Sequence, residues 1–159
     1  MEADLEEIAS LLRRHNLTVA AAESATGGLM SHLLTNVSHS SDYFRGGVVA
    51  YSNEVKIKVL GVRQRTLERY GAVSYETGKE MAEGVRKLMG TSIGLSDTGI
   101  AGPGGATAEK AVGLFFIGIS SSLGTRVVEH LFTGDRLQNK MSASRAALTM
   151  LREHLMQLA

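Results

Sequence analysis

With 159 residues, 43% of them hydrophobic, the chain is long enough for one domain (1–159) that buries about two-thirds of its surface without a disulfide or metal staple. It has no cysteine, which excludes disulfide frameworks, thiolate zinc sites, iron–sulfur clusters and cysteine nucleophiles. Seventeen Lys+Arg against sixteen Asp+Glu leave a net charge of +1, and aromatics make up 5%, a balance that argues against a nucleic-acid partner.

The start of the chain, Met1-Glu2-Ala3-Asp4-Leu5-Glu6-Glu7, is acidic, unlike a secretory signal. No stretch approaches about 18 uninterrupted apolar residues. A cytoplasmic protein with no membrane partner is expected. Leu5, Ile8, Leu11 and Leu12 fall on one face of a first helix, with acids opening it and Arg13, Arg14 and His15 closing it, as the helix dipole favours. Leu17 to Ala22 reads as a buried strand. Glu23-Ser24-Ala25-Thr26-Gly27-Gly28 then turns the chain into a helix from Leu29 to Leu34.

Gly46 to Tyr51 reads as a second strand. Asn53 is placed to cap a short helix carrying Val55, Lys56 and Val59. A further helical turn spans about Thr66 to Tyr70. Ser74 opens a longer amphipathic helix with Met81, Val85 and Leu88 on one face, ended by Gly90. Thr91 to Ser96 is a third strand, and Asp97 to Lys110 a glycine-rich loop. Strands near Val112–Ser120 and Thr125–Phe132 are joined by Ser121 to Gly124, a link short enough for an antiparallel hairpin. Gly134-Asp135 starts a final helix carrying Leu137, Met141, Leu148, Leu151, Leu155 and Leu158. The alternation predicts a three-layer α/β/α domain with a mixed, mainly parallel sheet.

Three turns follow the carboxyl ends of strands, where open α/β sheets bind ligands. At the first, Ser24 can enter a crevice beside the free N–H groups of the next helix, or Ser24 or Thr26 can simply cap that helix. At the second, Tyr51 and Lys56 can face one pocket. A lysine acts as a base only when neutral, so Lys56 needs burial to lower its pKa; otherwise it is a solvated helix residue. At the third, Thr98-Gly99-Ile100-Ala101-Gly102-Pro103-Gly104-Gly105 can converge backbone N–H groups on an anion, or be an extended surface loop. It matches neither a Walker loop nor G-x-G-x-x-G. Gly94-Leu95-Ser96-Asp97-Thr98 lacks the second glycine of a nucleophile elbow, and Ser96 reads as the end of a buried strand. The histidines show no metal-ligand spacing, so no metal site is expected. Asp135 suits a helix cap, and Arg136 is either a surface charge or a bidentate phosphate clamp.

Ala22–Gly28, Val49–Lys56, Gly71-Ala72-Val73-Ser74, Thr98–Gly105 and Gly134-Asp135-Arg136, in this order, resemble the CinA C-terminal domain family. The match runs from about Leu5 to Leu158 and is most similar to the stand-alone nicotinamide-nucleotide amidohydrolases. Larger members add an N-terminal molybdopterin-binding-like domain. The resemblance implies hydrolysis of the carboxamide of nicotinamide mononucleotide to nicotinic acid mononucleotide and ammonia, without metal or cofactor. It implies Ser24 as nucleophile, Lys56 as its base, Tyr51 as an assisting phenol and Arg136 as a substrate or phosphate contact. Thr26, Gly27, Gly28, Asn53, Gly99, Ile100, Ala101 and Gly102 would line the substrate. A homo-oligomer, a dimer first, is the expected assembly. Ala25 stands where members usually carry cysteine, Ala111 where they carry proline, and Ser38-His39 where proline-glycine is common. The competing reading is a nucleotide-binding module without catalysis, serving competence or a DNA-damage response. A serine hydrolase of another amide or ester is a third.

Overall fold

The computed structural model describes residues 1–158. Its centre is a five-stranded mixed sheet built from β1 (Val19–Glu23), β2 (Phe44–Val49), β3 (Ile93–Gly99), β4 (Leu114–Ser121) and β5 (Gly124–Leu131), in the order β2-β1-β3-β4-β5. β1 runs parallel to both β2 and β3, whereas β3–β4 and β4–β5 are antiparallel. The mixed sheet is therefore parallel on the side that carries the β1 turn and antiparallel on the hairpin side. β1 is apolar up to its last residue because it lies between two strands with both faces covered, and all five of its residues are buried.

Helices cover both faces. On one, α1 (Glu2–Arg14), α2 (Leu29–Leu34) and α6 (Arg136–Gln157) enclose a core that includes Ile8, Leu12, Met30, Leu34, Phe115, Ile117 and Leu151. On the other, α3 (Asn53–Leu60), α4 (Gln64–Tyr70) and α5 (Tyr75–Met89) pack Leu60, Met81 and Val85 against Ala20 and Ala22. The three-layer architecture agrees with the sequence. No helix among the described residues is long and apolar enough to cross a membrane.

Several local expectations shift. Ser52, not Asn53, caps α3, with its hydroxyl accepting the Val55 N–H at 3.1 Å. Asn53 is instead the first helical residue. β3 continues through Asp97, Thr98 and Gly99, which pair with Ile117, Phe116 and Phe115, so these three are strand rather than loop. Ser96 lies within β3 and donates to the Gly78 carbonyl at 2.7 Å. Leu88 and Leu137 point outward, 51% and 75% exposed, and do not join the core. The other boundary signals hold: Ser74 caps α5 by accepting from Thr77 N–H, Gly90 closes it in the left-handed region, and Asp135 caps α6 in a capping box with Gln138.

The seating of α5 on β3 depends on Gly94. A Cβ there would stand 2.3 Å from the Ala82 carbonyl oxygen and 2.8 Å from Arg86 Cβ, so helix and strand would have to separate. Gly94→Ala should cost roughly 1–3 kcal/mol, read as a lower midpoint in denaturant with an unchanged slope.

Candidate functional site

The parallel strands end at one edge of the sheet, and the segments leaving them form a cavity of about 470 Å³. Ser24 and Ala25 enter it from the turn after β1, Tyr51, Asn53 and Lys56 from the β2–α3 connection, and Ala72 and Val73 from the segment before α5. Thr98 and the Gly99–Gly105 loop form another wall, and Arg136 comes from the first turn of α6. Of the residues expected from the sequence, Ser24, Tyr51, Asn53, Lys56, Gly99, Ile100, Ala101, Gly102 and Arg136 meet here.

Thr26, Gly27 and Gly28 do not line it, and their backbone donors are already engaged. Gly28 N–H donates to Glu23 Oε1, Thr26 N–H to Asp97 Oδ2 and Gly27 N–H to the Ser24 carbonyl. The expected anion site at the start of α2 is thus occupied by the protein's own carboxylates. Glu23, fully buried, also accepts Met30 N–H at 2.8 Å, Ser31 N–H at 3.0 Å and the Ser31 hydroxyl at 2.7 Å. Glu23 therefore takes the helix-terminal donors that would otherwise be orphaned, and does not face a ligand. The Ala25 N–H has no protein acceptor among the described residues and belongs to a residue that lines the cavity. The donor suited to an oxyanion is thus the one immediately after Ser24.

Lys56 is the most unusual residue of the site. It is 1% exposed, and Nζ donates to Ser24 Oγ at 3.0 Å, to the Ala50 carbonyl at 2.8 Å and to the Tyr51 carbonyl at 3.2 Å. Burial lowers its pKa, and the charge of Asp97 pulls it partly back. An ammonium has three protons for these three oxygens. A neutral amine keeps two for the carbonyls and turns its lone pair to the Ser24 hydroxyl, so the same positions accommodate both states.

Asp97 is a buried acid beside the site that the sequence does not single out. It is fully buried and accepts Ser24 N–H at 2.9 Å on Oδ1. The Thr26 hydroxyl bridges Asp97 Oδ1 and Glu23 Oε1. Burial, aided by the charge of Glu23, raises the Asp97 pKa to about 6 against the hydrogen bonds from Thr26 and Ser24. The available signal was an acid at the carboxyl end of an apolar strand, beside the loop glycines. Taking Asp97 as the start of that loop hid its inward direction.

At the mouth, Arg136 Nη1 donates to the Gly102 carbonyl at 2.8 Å and Nη2 to Tyr51 Oη at 3.3 Å. Buried Asn139, one turn further along α6, donates to the Ala101 carbonyl at 3.0 Å and accepts Gly134 N–H at 3.0 Å. The loop is thereby fastened to α6. Gly102 suits this path, with φ at +88° and a would-be Cβ 2.4 Å from Val112 Cγ1. No cluster of three or more His, Asp or Glu that could hold a metal occurs among the described residues.

Two outcomes follow for stability. Glu23→Ala strips the acceptor from three backbone N–H groups and two hydroxyls and should cost roughly 3 kcal/mol or more by thermal or chemical denaturation. Asp97 is neutral more readily in the fold than its ordinary pKa of 3.8 allows. Its contribution is therefore complete below about pH 4 and is lost as pH rises through about 6. The midpoint difference, wild type minus Asp97→Asn, should fall across that window, because the amide does not titrate.

Comparison with known proteins gives one family throughout. The model of the CinA C-terminal domain matches residues 2–155. A CinA-like protein of Chloroherpeton thalassium is 51% identical over 154 residues, covering 94% of this chain and 37% of the relative. A CinA-like protein of Kosmotoga olearia is 48% identical over 158 residues, covering 99% and 38%. The chain thus spans under two-fifths of the length of these curated relatives. The crystal structure of a competence damage-inducible protein A from Klebsiella pneumoniae superposes with a TM-score of 0.93 at 31% identity, covering 96% of this chain and 95% of that one. A competence/damage inducible protein from Agrobacterium tumefaciens gives 0.84 at 37% identity, covering 93% of each. With its fold and nearly its whole length matched, the chain belongs to the CinA C-terminal domain family.

Proposed function

We propose that the protein hydrolyses the carboxamide of nicotinamide mononucleotide, with Ser24 as nucleophile and Lys56 as general base. The observation that carries this reading is the 3.0 Å contact between Ser24 Oγ and the amine of a lysine that is 1% exposed and held by two carbonyls. A module that only binds nucleotides has no use for such a pair. Keeping an amine out of water without a carboxylate in contact favours its neutral form, which is the form a base needs.

In the proposed reaction Ser24 Oγ attacks the carboxamide carbon while its proton passes to Lys56 Nζ. The carbonyl oxygen becomes an oxyanion that the Ala25 N–H can meet. Lys56 then returns the proton to the departing nitrogen as the C–N bond breaks. Ammonia leaves and an acyl-Ser24 ester remains. Water attacks that ester, again giving a proton to Lys56, and the acid and free Ser24 are released. Arg136 and the loop from Gly99 to Gly105 suit the phosphate end. The guanidinium is anchored through Gly102 and Tyr51 at the mouth, and its remaining donors are available for phosphate oxygens.

The test incubates purified protein with nicotinamide mononucleotide and follows ammonia and nicotinic acid mononucleotide together. Equal release of both is expected from wild type. Ser24→Ala and Lys56→Ala should each lower kcat by about a thousandfold or more, with circular dichroism unchanged. Arg136→Ala should raise KM roughly tenfold with a smaller effect on kcat, since a charged hydrogen bond at an exposed mouth is worth about 1.5 kcal/mol or more. Tight binding without turnover by folded wild type would favour the non-catalytic nucleotide module.

A further inference from the structure

Thr26 Oγ1 lies within hydrogen-bond reach of two carboxylates, Glu23 Oε1 at 2.7 Å and Asp97 Oδ1 on its other side. A hydroxyl has one proton to donate. Both contacts can be hydrogen bonds only if one of the acids brings a second proton. The surroundings indicate which. Glu23 receives three backbone N–H groups and the Ser31 hydroxyl, all of which need it as an acceptor. Asp97 receives two backbone N–H groups, from Ser24 and Thr26, and its Oδ1 can still direct a proton to Thr26 Oγ1. The consistent arrangement is Asp97 donating to Thr26 and Thr26 donating to Glu23.

The other neighbours leave Asp97 few electrostatic partners. Across the ladder it pairs with Ile117 of β4, and it lies on the face of β3 away from α5, because Ser96 and Thr98 on either side of it turn to the Gly78 and Ala72 carbonyls while Leu95 packs in the core under α6. Glu23 of β1 adds a like charge, and Lys56 of α3 is the cation that Asp97 influences. Lys140 of α6 ends 3.6 Å from where a Gly27 side chain would begin, on the far side of the Ser24 turn's glycines.

We propose, on the reading of Ser24 and Lys56 given above, that Asp97 is a positioning residue. It fixes the nucleophile turn through the Ser24 and Thr26 N–H groups, and it carries the second proton of the Glu23–Thr26–Asp97 chain in the reactive state. Neutral Asp97 with neutral Lys56 holds the same number of protons as ionised Asp97 with protonated Lys56. Only the first state offers Ser24 a lone pair. Holding the proton on the acid therefore frees the base without any change in net charge, and the raised acidity constant of Asp97 and lowered one of Lys56 go in this direction.

Asp97→Asn tests this, since the amide is uncharged at every pH. Because a neutral aspartic acid and an amide present the same charge to Lys56, the acid limb of kcat/KM for nicotinamide mononucleotide, where Lys56 sheds its proton, should stay in place in the variant, whatever happens to the maximal rate. A limb moved down by about one pH unit would show an ionised Asp97 holding the proton on Lys56 and would overturn the proposal. A second measurement needs neither the variant nor turnover. In substrate-free wild type, the carbon-13 shift of the Asp97 side-chain carboxyl should report an acid at about pH 5. A carboxylate signal for Asp97 at that pH also overturns it. If wild type does not turn over the nucleotide, the functional reading fails, and the carboxyl signal still decides the state of Asp97.

Discussion

Keeping a lysine amine out of water is the constraint around which this site is organised. An unpaired ammonium in the interior is among the costliest groups a fold can hold, so it is tolerated only where oxygens surround it or where it loses its proton. Lys56 has both options. The Ala50 and Tyr51 carbonyls sit at the end of β2, where the chain has left the ladder and its backbone oxygens are free to turn inward. Ser52 then caps α3, which fixes the one helical turn that brings position 56 back over the end of β1. The lysine is thus held by the connection that precedes it, and its remaining contact falls on Ser24.

The same logic explains why two acids stand so close to a site with no exposed carboxylate. A strand-to-helix turn leaves several N–H groups without partners, and in many α/β folds an anionic ligand takes them. Here Glu23 and Asp97 take them instead. The turn is therefore complete without a ligand, and Ser24 is held from both sides of its backbone. Any anion on a substrate must be met elsewhere, by Arg136 and the loop fastened to α6 through Asn139. Ser24 and Arg136 are thereby carried on different elements, and both face the one cavity.

Much of this was legible in the chain and some was not, for identifiable reasons. The elements with strong local signals, such as the Ser74 and Asp135 caps, the Gly90 stop and the apolar run before Glu23, appear where their chemistry puts them. Ser24, Lys56, Tyr51 and Arg136 are residue types that chemistry can use, and the fold brings their segments to one cavity. What local pattern could not reveal was the destination of backbone donors. The glycines after Thr26 looked like an open anion cradle because the partner that fills part of it, Asp97, lies 71 residues away along the chain. That acid in turn looked like the start of a loop, since three polar or glycine positions after an apolar run weaken a strand signal. Only the pairing with β4 extends β3 far enough to carry it inward.

The position of Asp97 also links the sheet to the chemistry. Among the described residues, β3 is the only strand that pairs in parallel on one side and antiparallel on the other. Its register therefore couples the Ser24 turn to the β4–β5 hairpin. A one-residue slip of β3 against β4 would turn Asp97 away from Ser24 and set Thr98 in its place, since side chains alternate faces. The hairpin, which contributes no residue to the cavity, is then needed to place the Asp97 side chain that accepts the Ser24 N–H. It follows that damage far out on β4 or β5 should be felt at Ser24 through the Asp97 acceptor before it is felt at Lys56, two of whose three contacts come from the β2–α3 connection.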